Sequence, residues 1–521
     1  MKFNKLNILA LSLLSIALCT TSCTKDFDNI NTNKLTYGPT EFDPNFALST
    51  SQLTYTGSID FAYETWRANL IYSGTMIQGL SSIASYWSGD KYLTNPGYTS
   101  SYWERAYDEQ VKPIVDVVEL TRGKEQYHNI HQVGRIWKAL IFARITDLYG
   151  DVPYSEAGMG YYNKALSTKY DKQENIYKDM LKEIDEAVNA LNPSADKVTG
   201  DVIYAGDIDK WKRFGNSLIL RLAMRLTKVD EATAKTYVAK VAGNTLTSND
   251  ENAFLKHDLS GDRITQNRNS QVLSGQDPWF SKWSNTFIDV LKNTNDPRIK
   301  VAATKVFLTT AAEINPNFET DPAKQKGMPN GKDNLGKEYD VKTEPNFTSM
   351  PEYSSPHPGM IKLDGITFIL TYAECELLLA EAAQRWGIGG SATDHFAKGV
   401  KASITYLKQF DSRLAISDAD ADVYVAANPL SGGIKQIAQQ YWIHHNTSLN
   451  FYESWFNWRR TGYPELTPVV YPGNATKGTI PRRFPYPSAE EAGTNREYFK
   501  AAAAAVPGGD NLSGRVWWDK Q

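Results

Sequence analysis

Apolar side chains recur at three- and four-residue spacing along most of this chain, the period of one face of an α-helix. Over residues 133–149 the repeat picks out Val133, Ile136, Trp137, Leu140, Ile141, Ile145 and Leu148, and Gly150 ends it. Over 176–191 it picks out Ile176, Met180, Leu181, Ile184, Val188 and Leu191, closed by Asn192-Pro193. Residues 211–226 predict a third helix. Residues 372–386 predict a fourth, apolar on nearly every side and so expected at the centre. Beyond the glycines at 387, 389 and 390 a further helix is predicted over 393–408, with two more over 59–78 and 111–122. The pattern predicts an all-α fold of stacked helical hairpins. No composition break divides the body, so one domain is expected over 41–521.

Between the helices lie long stretches without period. Residues 86–103 (YWSGDKYLTNPGYTSSYW) are polar and rich in Tyr and Trp. Residues 250–283 end in Gly275, Pro278, Trp279 and Trp283. Residues 315–358 are rich in Pro, Gly and Asn, and 469–487 read as an extended, Pro-punctuated segment. Insertions of this length in a folded body carry function or remain disordered. The pair 372–386 and 393–408 resembles a tetratricopeptide-like hairpin in length and in small residues at its crossing (Ala380, Ala383 and Ala397), although the fit to that repeat is loose.

The amino terminus has a different pattern. Lys2 and Lys5 precede an apolar run from Leu6 to Cys19, too short for an ordinary membrane span, and Thr20, Thr21 and Ser22 lead to Cys23. We expect a signal over 1–22 and lipidation of Cys23, with 23–40 as a polar tether. Thr20 departs from the Leu usual at that place in lipoprotein signals. Each buried methylene contributes about 0.8 kcal/mol, so two or three acyl chains hold a soluble domain on a membrane.

Composition narrows the function classes. Of 521 residues, 41% are hydrophobic and the net charge is −3, which suits a folded body and not an electrostatic binder of nucleic acid. Once Cys19 leaves with the signal and Cys23 is acylated, only Cys375 remains, inside an apolar helix, where it reads as a core residue. No phosphate-binding glycine loop, zinc-protease helix, nucleophile elbow or paired-cysteine motif is present. His128 and His131 could share a helix face but lack further ligands at motif spacing. His444 and His445 read as a solvated pair. The loop 330–340 (NGKDNLGKEYD) is oxygen-rich enough to wrap a Ca²⁺ ion, yet it misses EF-hand spacing and reads as a solvated loop. No cofactor is expected.

Aromatic residues make up 12% of the chain, and many lie in the polar loops. Rings exposed on loops suit stacking on the apolar faces of sugars. The candidate ligand-binding residues are therefore Tyr86, Trp87, Tyr92, Tyr98, Trp279, Trp283 and Tyr339, with Asp90 and Asn95 as hydrogen-bonding partners for hydroxyls.

Several segments in order (RITDLYGDVPYSEA from Arg144, GDIDKW from Gly206, DPRI from Asp296, YAECELLLAEAAQRW from Tyr372, NFYESWFNWRRTGYPEL from Asn450 and TIPRRFPYP from Thr479) resemble the SusD/RagB family of outer-membrane nutrient-binding lipoproteins. They are most similar to its starch-binding, outer-membrane-associating branch. The resemblance implies tetratricopeptide-like helix pairs and a lipid anchor in the outer membrane at the cell surface. It also implies a SusC-like TonB-dependent barrel that the protein covers as a lid, and no catalysis. Gly150-Asp151 and Pro153, like Trp455, Trp458, Arg459 and Arg460, read as scaffold that ends a helix or locks the C-terminal segment. The ligand expected is an oligosaccharide, with an oligopeptide as the alternative and a lipid-anchored hydrolase as the third reading.

Overall fold

The computed structural model describes residues 42–59 and 63–520, so the signal 1–22, Cys23 and the 23–40 tether lie outside the described residues. From Pro44 the chain folds into one unit. Its helices are α1 (Pro44–Thr54), α2 (Thr65–Gly74), α3 (Lys112–Thr121), α4 (His128–Tyr149), α5 (Gln173–Ala190), α6 (Ile208–Arg225), α7 (Glu231–Val241), α8 (Tyr372–Trp386), α9 (Ala392–Thr405), α10 (Gly433–Thr447) and α11 (Phe451–Thr461), joined by shorter turns. Helices α3 to α7 pack each against the next; α8 packs on α6, α9 and α10, and α11 joins α10 to α2. The fold is mainly helical, as the periodicity predicts.

The boundaries follow local chemistry. Helix α8 starts at Thr371, whose hydroxyl accepts from the Glu374 N–H at 3.3 Å, and ends at Gly387 in the left-handed region (φ 68°). Gly399 of α9 lies so close to α8 that a Cβ there would sit 2.9 Å from Leu377 Cγ. Helix α4 ends at Gly150 (φ 90°), and Val152–Pro153 then pairs with Tyr170–Asp171. Three other antiparallel ribbons each have one strand in a stretch predicted to be irregular: Leu80–Ser82 with Ser281–Trp283, Ala253–Lys256 with Ile366–Leu370, and Ala302–Ala303 with Ser355–Pro356. Residues 315–358 carry only single 3₁₀ turns and those bridging strands. A small satellite core forms there from Ile83, Met328, Val341, Met350 and Tyr353.

At the centre, buried charges bind five helices together. Arg221 of α6 makes a two-bond contact with Glu374 of α8 (2.5 and 2.6 Å), and Arg225 reaches Glu453 of α11 and Asp147 of α4. Tyr441 of α10 donates to Glu374 at 3.1 Å. His444 and His445 lie inside this core, which corrects the expectation of a solvated pair. His444 bonds to Thr371 (2.7 Å) and Ser403 (3.0 Å), and burial pushes His445 down to about 3, so it is neutral at physiological pH. Cys375 is buried and its thiol is pushed up by burial, as a core residue should be.

The C-terminal segment is locked as expected. The Arg459 guanidinium lies between Trp455 (4.3 Å) and Trp518 (4.6 Å) and donates to the Arg482 and Asp147 carbonyls, both at 2.7 Å. Arg460 clamps Glu381 of α8 through two 2.6 Å bonds.

Burial opposes ionisation of Glu453, but Arg221 and Arg225 outweigh it and hold the carboxyl down to about 2. A depressed carboxyl contributes stability that is full above its unfolded pKa, about 4.3, and is lost as pH falls towards 2. Urea titrations at steps from pH 5 to 2 should show this loss in the native protein. Glu453→Gln should lower stability at pH 7 by about 3–5 kcal/mol, because two arginines lose their counter-charge, and should flatten the acid slope.

Candidate functional site

Asp277 organises an aromatic part of the surface. Its carboxylate is buried and accepts three donors: Trp66 Nε1 at 2.7 Å, Trp87 Nε1 at 2.9 Å and the Tyr86 hydroxyl. Trp66 comes from α2 and the other two from the turn after Leu80–Ser82. Pairing of that strand with Ser281–Trp283, extended by Ile83 N–H to the Phe280 carbonyl (3.2 Å), brings the Asp277 turn against them. Burial pushes the Asp277 carboxyl up and the three donors pull it back. The Tyr86 phenol is raised by burial and by the same carboxylate, so it stays protonated and keeps donating.

Around this anchor the rings form a half-exposed strip. Trp66 meets Tyr86 edge-on at 6.0 Å and lies nearly parallel to Tyr63 at 6.5 Å. The Arg67 guanidinium sits 4.7 Å from the Tyr63 ring and 4.9 Å from the Tyr98 ring, and its buried Nε has no acceptor in the structure. Asn95 accepts from the Tyr98 N–H at 3.3 Å as the cap of the turn Pro96–Thr99, so its role here is to set Tyr98. Chemically the strip offers flat apolar faces and an unsatisfied cationic donor.

Helix α2 has π winding, which the regular helix predicted over 59–78 does not anticipate. Such winding is frequent at functional sites. The turn at Gly89 packs directly on it: a Cβ there would lie 2.1 Å from the Ile71 carbonyl oxygen.

The sequence candidates divide into two groups. Tyr86 and Tyr98 stand in the strip, and Trp279 is half-buried two residues beyond Asp277, against the satellite core. Tyr339 is half-buried and packs edge-on to Tyr471 at 5.0 Å. The other four are corrections. Trp87, Asp90, Tyr92 and Trp283 are fully buried, so their faces are not offered to a ligand. Trp87 holds Asp277 from below. Asp90 accepts from Asn330 (2.5 Å) and the Gly331 N–H (2.9 Å), Tyr92 accepts from the Val469 N–H (3.2 Å), and Trp283 donates to the Val301 carbonyl (3.2 Å). Each fills space that the polar loop would otherwise leave empty. Tyr63, Trp66, Arg67 and Asp277 are site residues that sequence reasoning missed. The signal for the first three is present in the run YETWRAN, where aromatics three apart share the polar side of a predicted helix; Asp277 has none.

Among the described residues no group of three or more His, Cys, Asp or Glu side chains is placed to hold a metal ion. In the loop 330–340, Asp333 takes the Leu335 N–H (3.0 Å) and the Tyr471 hydroxyl (2.8 Å), and Asp340 takes the Gly336 (2.6 Å) and Lys342 (2.8 Å) N–H groups. Those carboxylates are engaged by donors and do not converge on a cation.

A family model described as SusD-like, starch-binding and associating with the outer membrane matches residues 44–487. Among solved structures, a chitin-binding protein is 34% identical, with a TM-score of 0.79 over 92% of this chain and 100% of its own. A SusD-like protein from Bacteroidetes AC2a is 25% identical, with a TM-score of 0.79 over 92% and 100%. A chitin-binding SusD homologue from Flavobacterium johnsoniae shares the fold at 23% identity, with a TM-score of 0.73 over 92% and 99%. No curated protein matches the chain.

Lys282 lies behind the strip, fully buried, and its ammonium donates to the Pro278 carbonyl (3.1 Å) and to Ser355 Oγ (2.9 Å). Burial pushes it down to about 7. The unfolded chain, with a lysine pKa of about 10.4, therefore binds the proton more tightly, and stability should rise as pH climbs from 7 to 10. Lys282→Met should abolish that part of the rise in chemical denaturation followed by circular dichroism.

Proposed function

This chain belongs to the SusD-like family, described as starch-binding and associating with the outer membrane, and on that premise we propose that it captures an oligosaccharide on the aromatic strip. The observation that carries the reading is the convergence of Trp66, Tyr86 and Trp87 on the buried Asp277. It fixes half-exposed rings beside an arginine whose Nε lacks an acceptor. Stacked rings supply affinity at about 0.5–1.5 kcal/mol each, and charge-assisted bonds supply orientation.

The protein acts by binding and not by turnover. Cys23, acylated, tethers it to the outer membrane with the strip at the cell surface. There it serves as the lid of a SusC-like TonB-dependent barrel, which receives the captured chain and imports it. The family description and the chitin-binding relative at 34% identity support a glycan. Arg67 favours a ligand that carries a strong acceptor, such as the acetamido oxygen of a chitin-type oligosaccharide, over a plain glucan. An oligopeptide offers carbonyl oxygens to the same arginine and is the second reading.

Calorimetric titration with chito-oligosaccharides, malto-oligosaccharides and short peptides tests the proposal. We expect binding of the N-acetylated series, weakened between about twofold and tenfold by Trp66→Ala and most strongly by Arg67→Met. Peptide binding without sugar binding would select the second reading, and release of shortened products would contradict a binding protein altogether.

A further inference from the structure

A second cavity, of ≈ 210 Å³, opens where the start of α5 meets the C-terminal segment. It shares no lining residue with the aromatic strip. Much of its wall comes from residues 502–520, beyond the 44–487 span matched by the family model.

Its floor holds an unsatisfied polar atom. Gln173 is fully buried and lines the cavity; its amide nitrogen donates to the Thr146 carbonyl at 2.8 Å, and its Oε1 has no hydrogen-bond partner. A buried acceptor left without a donor costs about 1–3 kcal/mol, so an occupant that donates a hydrogen bond there is favoured. The opposite wall is apolar, built from Val506, Pro507, Val516 and the half-exposed ring of Trp517.

Of the charged side chains at the rim, all but Lys520 have counter-charges. Lys172 pairs with Asp151 at 2.7 Å, Glu174 with Lys178 at 2.5 Å and Arg515 with Asp519 at 2.9 Å. A cation would have to break one of these pairs to reach a carboxylate, and only Lys520, at the exposed edge, is left to meet an anion. The volume is below the roughly 300 Å³ of pockets that take drug-sized ligands, which leaves room for one ring and not a chain.

We infer that this cavity is a second carbohydrate site, which takes a single neutral pyranose with its C–H face on Trp517 and a hydroxyl donating to Gln173 Oε1. Such a site would hold a chain end or a free monosaccharide independently of the strip.

Saturation-transfer NMR with glucose and with N-acetylglucosamine tests it on the full chain, using the native protein, Trp66→Ala, Trp517→Ala and Ala505→Phe. Ala505 is an exposed residue at the rim, so its enlargement closes the cavity without touching the core. Transfer to at least one sugar should persist in Trp66→Ala and fall at least fivefold when Ala505→Phe, or a folded Trp517→Ala, is combined with Trp66→Ala. Transfer to neither sugar, or transfer in Trp66→Ala left unchanged by adding Ala505→Phe, would overturn the inference, as would transfer to a dipeptide alone. Loss in Trp66→Ala with full retention in Ala505→Phe would place all sugar binding on the strip, and would overturn the second site while leaving the first intact.

Discussion

A charge taken out of water is costly to hold unless counter-charges meet it. That constraint fixes the centre of this protein. Arg221 and Arg225 on α6 can be buried only if Glu374, Glu453 and Asp147 arrive from three other helices. The helices then have little freedom in register, because a shift of one turn would leave an ion unpaired. The same constraint governs the surface strip, where Asp277 is buried only because two indoles and a phenol donate to it. Ring positions at the site are therefore set by hydrogen bonding and not by packing alone, which suits a binding face that must be ready before its ligand arrives.

The helical body was legible in the sequence because its signal is local. The helix predicted over 372–386 has those same bounds in the structure, and those over 133–149, 176–191 and 211–226 differ only by a few residues at their ends. Hydrophobic period and Gly or Pro stops suffice for such elements. The short ribbons were not legible, since strands of two to five residues pair across 52 to more than 200 positions in the chain and leave no period of their own.

The site was legible in kind but not in detail. Aromatic loops pointed to the region of the strip, and Tyr86 and Tyr98 stand there. Trp87, Asp90, Tyr92 and Trp283 lie in equally polar stretches, yet tertiary packing draws them inside. Trp66 and Arg67 were hidden for another reason: they lie inside a predicted helix and not in a polar loop, so loop composition does not mark them, whereas α2 shows aromatics on its outer side. Composition says how many rings a loop has, and only the fold says which of them reach solvent. The family motifs, by contrast, proved to be scaffold where the structure describes them. Arg459 ties the C-terminal segment to α11 and α4, and Arg460 clamps α11 to α8.

The central claim is that the Asp277-anchored rings are where the glycan lies. A crystal structure of the protein grown with a chito-oligosaccharide tests it most directly. The account predicts sugar rings resting on Trp66 and Tyr98, with an acetamido oxygen within hydrogen-bond distance of Arg67. An ordered sugar chain elsewhere on the surface, with the strip bare, would contradict it.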